Sequence, residues 1–212
     1  MPKYSLPTLA LLLALPLSAL AGPLKHEDNI NTWEELPADV QAQINSGKAW
    51  TRPFKTPDGK QGAEGFVLLP YTQDEVWGLL YDIESYPKWK RVYKEINKLE
   101  WKDPNHLIFT YTTAGAISFE LTLDRVFVPK TKILIKSLAG KVTDMDGMYE
   151  LTDRGNGKTL LRFYSRGRTD GWVPGFIKKY IATEGVQNDF EDIALEAMRR
   201  RKAKGTGLAP AQ

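Results

Sequence analysis

Residues 117–124 read Ile117-Ser118-Phe119-Glu120-Leu121-Thr122-Leu123-Asp124, an unbroken alternation of apolar and polar side chains. Successive side chains of an extended chain point to opposite faces, so this period of two marks a strand with one buried face. The same period runs on both sides. Before it, Leu107, Phe109 and Tyr111 share a face. After it, Ile133 and Ile135 alternate with Lys132, Leu134 and Lys136, and Tyr149 and Leu151 flank Glu150. Further on, Leu161, Phe163 and Ser165 alternate with Leu160, Arg162, Tyr164 and Arg166. Turn chemistry separates the runs at Asp103-Pro104-Asn105, Ala114-Gly115, Pro129-Lys130-Thr131 and Arg154-Gly155-Asn156-Gly157. From Arg91 onward the pattern predicts about six antiparallel strands with one apolar face each.

Working outward, the flanks change period. Lys48–Phe54 and Gly65–Leu69 read as two further strand stretches around the turn Thr56-Pro57-Asp58-Gly59-Lys60. Thr72 with Glu75 has the spacing of a capping box, and Val76, Leu79 and Leu80 then form a helical face. Asp82–Trp89 reads as a break and a second short helix. Upstream, Leu36, Val40 and Ile44 predict a short helix within Trp33–Ser46, with Gly47 at its C-terminal stop. Downstream, Val173, Phe176, Ile177, Tyr180 and Ile181 begin an apolar stripe that Val186, Phe190, Ile193, Ala194 and Met198 continue. Pro174 fits a first helical turn, and Gly185 is a point where the helix can bend. One long amphipathic helix is therefore expected to cover the apolar face of a curved sheet, with room for an apolar cavity between them.

The N-terminus predicts export. Lys3, the apolar run Leu9–Leu17 and Ala19-Leu20-Ala21 have the order of a cleavable signal peptide, with cleavage before Gly22. The run is nearer a dozen residues than the roughly 20 that a membrane span requires. The expected organisation is a signal peptide at 1–21, a polar leader and short helix at 22–46, one domain at 47–204 and a tail at 205–212. The place of action is then periplasmic or secreted. The chain carries a net charge of +3, and loss of Lys3 lowers it further, too little to argue for nucleic-acid binding. A 42% hydrophobic and 11% aromatic composition argues for a packed domain.

Four passages resemble the START-related helix-grip superfamily, in its polyketide cyclase/dehydrase and coenzyme-Q-binding branch. They are Pro70 with Asp74-Glu75-Val76-Trp77, then Asp82-Ile83-Glu84-Ser85-Tyr86-Pro87-Lys88-Trp89. Asp146-Gly147-Met148-Tyr149 with Gly157-Lys158-Thr159-Leu160 is the third, and Val173-Pro174-Gly175-Phe176 the fourth. The resemblance implies an α+β helix-grip fold: a curved antiparallel sheet wrapped around a long C-terminal helix, with two short helices after the first strand. It also implies a pocket for a hydrophobic ligand such as a lipid, sterol, isoprenoid or polyketide. The cavity-lining candidates that follow are Trp89, Phe109, Tyr111, Phe119, Leu121, Tyr149, Phe163, Phe176 and Tyr180. The same side chains would be core in any fold, and Trp77 reads as scaffold.

Catalytic chemistry is sparse. The two histidines, His26 and His106, lack a sequence partner, and the absence of cysteine removes thiol nucleophiles and thiolate metal sites. Asp144-Met145-Asp146-Gly147 has too few ligands for calcium and reads as a solvated turn. No metal and no cofactor are expected. Arg166 and Arg168 suit either a ligand headgroup or nearby carboxylates. The basic helix end, Arg199–Lys204, suits either transient membrane contact or compensation of the helix dipole. The leading expectation is a non-enzymatic carrier of a hydrophobic molecule, opened near Gly171–Gly175. The alternative is a cyclase or aromatase, whose candidates are Tyr111, Tyr149 and Arg125. Convergence of Arg125 with a tyrosine hydroxyl on the cavity would favour that enzyme. A third reading, a protein-binding face, rests on the outward Leu134 and Leu160.

Overall fold

The computed structural model describes residues 31–115, 118–169 and 184–205. Eight strands form one antiparallel sheet: β1 (Trp50–Lys55), β2 (Gln61–Leu69), β3 (Tyr93–Asp103), β4 (His106–Thr113), β5 (Glu120–Val128), β6 (Lys132–Gly140), β7 (Val142–Asp153) and β8 (Thr159–Thr169). Their spatial order is β1-β2-β8-β7-β6-β5-β4-β3, so β3 to β8 form a meander and the first hairpin adds to its last strand. The helices are α1 (Ala38–Asn45), α2 (Gln73–Tyr81), a 3₁₀ helix (Ile83–Lys88) and α3 (Gly185–Ala203). Because β2 and β3 lie far apart in the sheet, α2 and the 3₁₀ helix carry the chain across it. This is the α+β arrangement expected from the sequence. Among the described residues, no helix is long and apolar enough to cross a membrane.

The alternation sets the faces. Leu121, Leu123, Arg125 and Phe127 of β5 are buried, as are Leu107, Phe109 and Tyr111 of β4, and they look inward toward α3. On α3, Val186, Phe190, Ile193 and Ala197 meet that face. The helix can approach β2 closely because position 65 is glycine. A Cβ there would stand 2.8 Å from the Phe190 ring and 2.7 Å from the Trp50 carbonyl. The start of the expected long helix, including Phe176, Tyr180 and the gate at Gly171–Gly175, lies outside the described residues, as does the segment 1–21.

The capping box at α2 is formed. Thr72 Oγ1 accepts from the Glu75 amide at 3.3 Å, and Glu75 Oε2 accepts from the Thr72 amide at 2.8 Å. Glu75 also receives Arg201 of α3, Nε at 3.0 Å and Nη2 at 2.6 Å. The basic helix end is thus engaged with protein: Arg199 and Arg200 pair with Glu196, and Arg200 also reaches Asp82.

Two local expectations change. Leu160, read as outward and exposed, is buried with Leu36, Ile44 and Phe66 beneath α1. The chain before α1 also packs there: Asn31 is buried, its amide donating to Glu64 Oε2 at 2.9 Å. Leu134 does face solvent, 42% exposed. The Asp144–Gly147 stretch, read as a turn, is a bulge inside β7, with Asp144 at φ +50° and a register shift between Thr143 and Asp146. The true turn falls earlier, at Gly140, where φ is +123° and a Cβ would collide with Leu121.

Two outcomes follow for stability. Gly65→Ala should lower it by about 1–3 kcal/mol, since the paired β1 backbone cannot retreat, and urea unfolding measures this. Glu75 is held at about 2, below its ordinary 4.5, by the hydrogen bonds from Arg201 first and Thr72 next. A depressed carboxylate stabilises the fold above its unfolded value and loses that contribution as the pH falls toward the folded one. Because Glu75 is partly exposed, its contribution is about 1–2 kcal/mol after screening. The stability gap between wild type and Glu75→Gln should therefore shrink between pH 6 and pH 3; a constant gap would contradict the ion pair.

Candidate functional site

Between the concave sheet face and α3 lies a cavity of about 710 Å³. Side-chain size decides where it opens. At one end Trp77, Tyr81 and Phe127 pack edge and face with centroids 5.0–6.1 Å apart and fill the space, with the half-exposed Trp101 ring laid over Tyr81 and Phe127. Toward the other end the inward positions are small: Ala63, Thr113, Ser165 and Gly167. The exposed lining residues Gly59, Gln61, Ala114, Gly115 and Arg168 mark the mouth at that end. Leu121, Phe119, Ile135, Met145 and Phe163 supply most of the apolar wall.

The deeper wall is polar. Arg125 lines it with 2% of its surface exposed. Its Nη1 donates to the Tyr86 hydroxyl at 3.0 Å and its Nη2 to the Tyr93 hydroxyl at 3.2 Å, while Nε has no partner among the described residues. The guanidinium also lies over the rings of Tyr86 and Phe109, 5.3 and 5.0 Å from their centroids. Tyr86 is fixed further by donating to the Leu80 carbonyl at 2.7 Å. Burial first, opposed by Arg125, pushes the Tyr86 phenol up to about 12. Burial likewise raises Tyr93, Tyr111 and Tyr149. All four phenols therefore keep their protons at neutral pH, and none can neutralise Arg125.

Beside it sits a second buried charge that is neutralised. Lys90 Nζ pairs with Asp189 Oδ1 of α3 and donates to the Tyr149 hydroxyl at 3.1 Å. Tyr149 in turn donates to Asp189 Oδ2 at 2.7 Å. Next to this triad, Arg91 donates from its amide and its Nε to Asp192, both at 2.8 Å, and from Nη1 to Asn188 at 2.7 Å. The connection between the 3₁₀ helix and β3 thus clamps the first turns of α3.

Of the residues expected at the cavity, Tyr111, Phe119, Leu121, Tyr149 and Phe163 line it. Trp89 does not: its indole donates to Ser85 Oγ at 2.9 Å and its ring packs on Tyr86, because the 3₁₀ helix turns it away. Phe109 is fully buried beneath Arg125, one layer below the surface of the cavity. Phe176 and Tyr180 lie outside the described residues. Arg166 pairs with Asp146 at 2.8 Å, and Arg168 with Asp58 at 3.1 Å, the carboxylate alternative expected for both. Asp144 and Asp146 also hold Lys60.

Sequence reasoning missed Tyr86, Tyr93, Lys90 and Asp189. A signal existed for the last: Asp189 lies three residues after Val186 and four before Ile193, on the flank of the apolar stripe. Arg125 also carried one, since it falls on the inward phase of the alternation that Leu121 and Leu123 set.

No family model matches the chain, and no curated protein matches it. Solved structures do. The Zhui aromatase/cyclase from Streptomyces sp. R1128 superposes with a TM-score of 0.61 at 15% identity, covering 70% of this chain and 99% of that one. A STAR-related lipid transfer protein fragment from Xanthomonas axonopodis gives 0.60 at 10% identity, with 70% and 93% covered. A START superfamily protein from Mycobacterium smegmatis gives 0.54 at 17% identity, with 67% and 99% covered. These likenesses show the START-like, polyketide-cyclase-like helix-grip fold. In this chain that fold encloses a cavity with a buried cation in its wall.

The two buried cations should respond oppositely to substitution. Asp189→Asn strands Lys90 without a carboxylate and should cost about 3–5 kcal/mol. Arg125→Met removes a charge that has no carboxylate partner among the described residues, and should leave the ligand-free protein as stable or more so, by urea unfolding. A large loss in Arg125→Met would show that the guanidinium serves the fold.

Proposed function

We propose that this chain binds one hydrophobic small molecule, lipid- or isoprenoid-like, in the cavity under α3. The carrying observation is the cavity itself: about 710 Å³, apolar over most of its wall and reached from one end. That size is within the roughly 300–1,000 Å³ of sites that enclose a single ligand. Burial of apolar ligand surface supplies roughly 25 cal/mol per Å², against which the cost of association is set. The solved structures of the same fold include a lipid transfer protein, which supports this reading. With the signal peptide at 1–21 acting as an export signal, the protein would carry its ligand outside the cytoplasm, in a periplasm or beyond the cell.

A second reading has its own observation. Arg125 and the Tyr93 hydroxyl converge in the cavity wall, with Tyr111 beside them, a set of donors that can stabilise an enolate oxygen. That favours a cyclase or aromatase of the kind whose structure is similar.

Native mass spectrometry of residues 22–212, purified without added lipid, separates the readings. A bound mass of a few hundred daltons, released on denaturation and unchanged by prolonged incubation, supports the carrier. Conversion of an added polyketone to a product lighter by water supports the enzyme. Ser165→Trp, which places a ring in the cavity from β8, should abolish the bound mass in either case while circular dichroism stays that of wild type. Persistence of the bound mass in Ser165→Trp would remove the cavity from both.

A further inference from the structure

Among the described residues, each cation around the cavity has a carboxylate except one. Lys90 is paired with Asp189, Arg91 with Asp192 and Glu191, Arg166 with Asp146 and Arg168 with Asp58. Arg125, as fully buried as Lys90, has none among the described residues. An isolated buried charge is costly, and a guanidinium cannot shed its proton to escape that cost. Neutral phenols solvate it in part.

The hydrogen-bond count around Arg125 is unbalanced in one direction. The guanidinium has five N–H donors; two go to Tyr86 and Tyr93, and Nε has no acceptor. The Tyr86 proton is used on Leu80. The Tyr93 hydroxyl accepts from Arg125, and its own proton has no acceptor among the described residues. The Tyr111 hydroxyl has no hydrogen-bond partner there either. The two rings lie 4.3 Å apart in a tilted stack, and both line the cavity. Among the described residues, this stretch of wall therefore offers donors and positive charge with no carboxylate to meet them. On the helix side, both oxygens of Asp189 are occupied by Lys90 and Tyr149, and those of Asp192 by Arg91.

Building on the cavity as a ligand site, we infer that its ligand is an amphiphile with an anionic oxygen head, a carboxylate or a phosphate monoester. The head meets Tyr93 and Tyr111 with Arg125 behind them, and the apolar chain lies along Leu121, Phe119 and Phe163. The head accepts the free tyrosine protons and supplies the missing countercharge. No bond is made or broken. Selectivity comes from the difference between a charged head and a neutral one of equal chain length, since the apolar contacts are the same for both.

The test uses the purified, delipidated protein and three probes of one chain length: hexadecanoic acid, hexadecyl phosphate and hexadecanol. Affinities are measured by calorimetry at neutral pH. Wild type should bind at least one of the anions about ten-fold or more tightly than the alcohol. Arg125→Met should remove that preference while leaving alcohol binding within about three-fold; Arg125→Gln gives the same readout if the methionine variant does not fold. The ratio between acid and phosphate identifies the head. Equal affinity for anion and alcohol in wild type, with both lost in Ser165→Trp, overturns the anionic head and leaves the cavity reading standing. A preference for the anion that survives loss of the guanidinium also overturns it. Failure of wild type to bind any of the three overturns this inference, and the native mass measurement then decides the cavity reading separately.

Discussion

The fold depends on the seating of one helix on the concave face of a curved sheet. That seating is held at both ends by side chains from the short connection between β2 and β3. Lys90 and Arg91 grip Asp189 and Asp192 at the start of α3, while Glu75 and Asp82 receive Arg201 and Arg200 at its end. Between those clamps the helix contributes Phe190 and Ile193 to the core, and Gly65 allows the closest approach. The clamp at the start matters for more than stability. It fixes the helix at a distance from the strands beside it, and the cavity is what that distance leaves.

Cavity and core share one sheet face, and the division between them is a matter of volume. Where inward positions carry Trp and Phe, the space closes. Where they carry Ala, Thr, Ser and Gly, it stays open. Protein interiors pack to crystal-like density, so a void of this size in a small domain asks for an occupant. The polar wall asks for the same from the electrostatic side. A guanidinium held by two phenols is tolerated, but its charge is not balanced by any described residue. The fold carries that cost at one place, beside the cavity, while pairing the cations around it.

The outer face of the sheet is treated differently. Glu64 is buried there, but it is met by Arg52 at 2.7 Å and by Asn31, and α1 with its preceding chain covers Phe66 and Leu160. The segment before β1 thus extends the core across β2 and β8. Farther along, toward β5 and β6, Val126 and Leu134 pair in register and face solvent.

By itself the sequence determined the strands, their inward and outward faces, the capping box at Thr72 and the apolar stripe of the last helix. Each of these depends on spacing within a few residues, which periodicity records directly. Five of the expected lining residues stand at the cavity for the same reason: the alternation already placed Tyr111, Phe119, Leu121, Tyr149 and Phe163 on the inward face. Trp89 and Phe109 could not be separated from them, because depth below a surface is not a property of spacing. The bulge at Asp144 and the covering of Leu160 were equally hidden, one being a break in pairing with a neighbour strand and the other an event between distant segments. Only the tertiary structure decided that Lys90 meets Asp189 across 99 residues and that Tyr86 and Tyr93 converge on Arg125 while, among the described residues, no carboxylate does. Whether a buried charge is paired depends on which distant side chains share its volume, and that is set when the helix closes on the sheet.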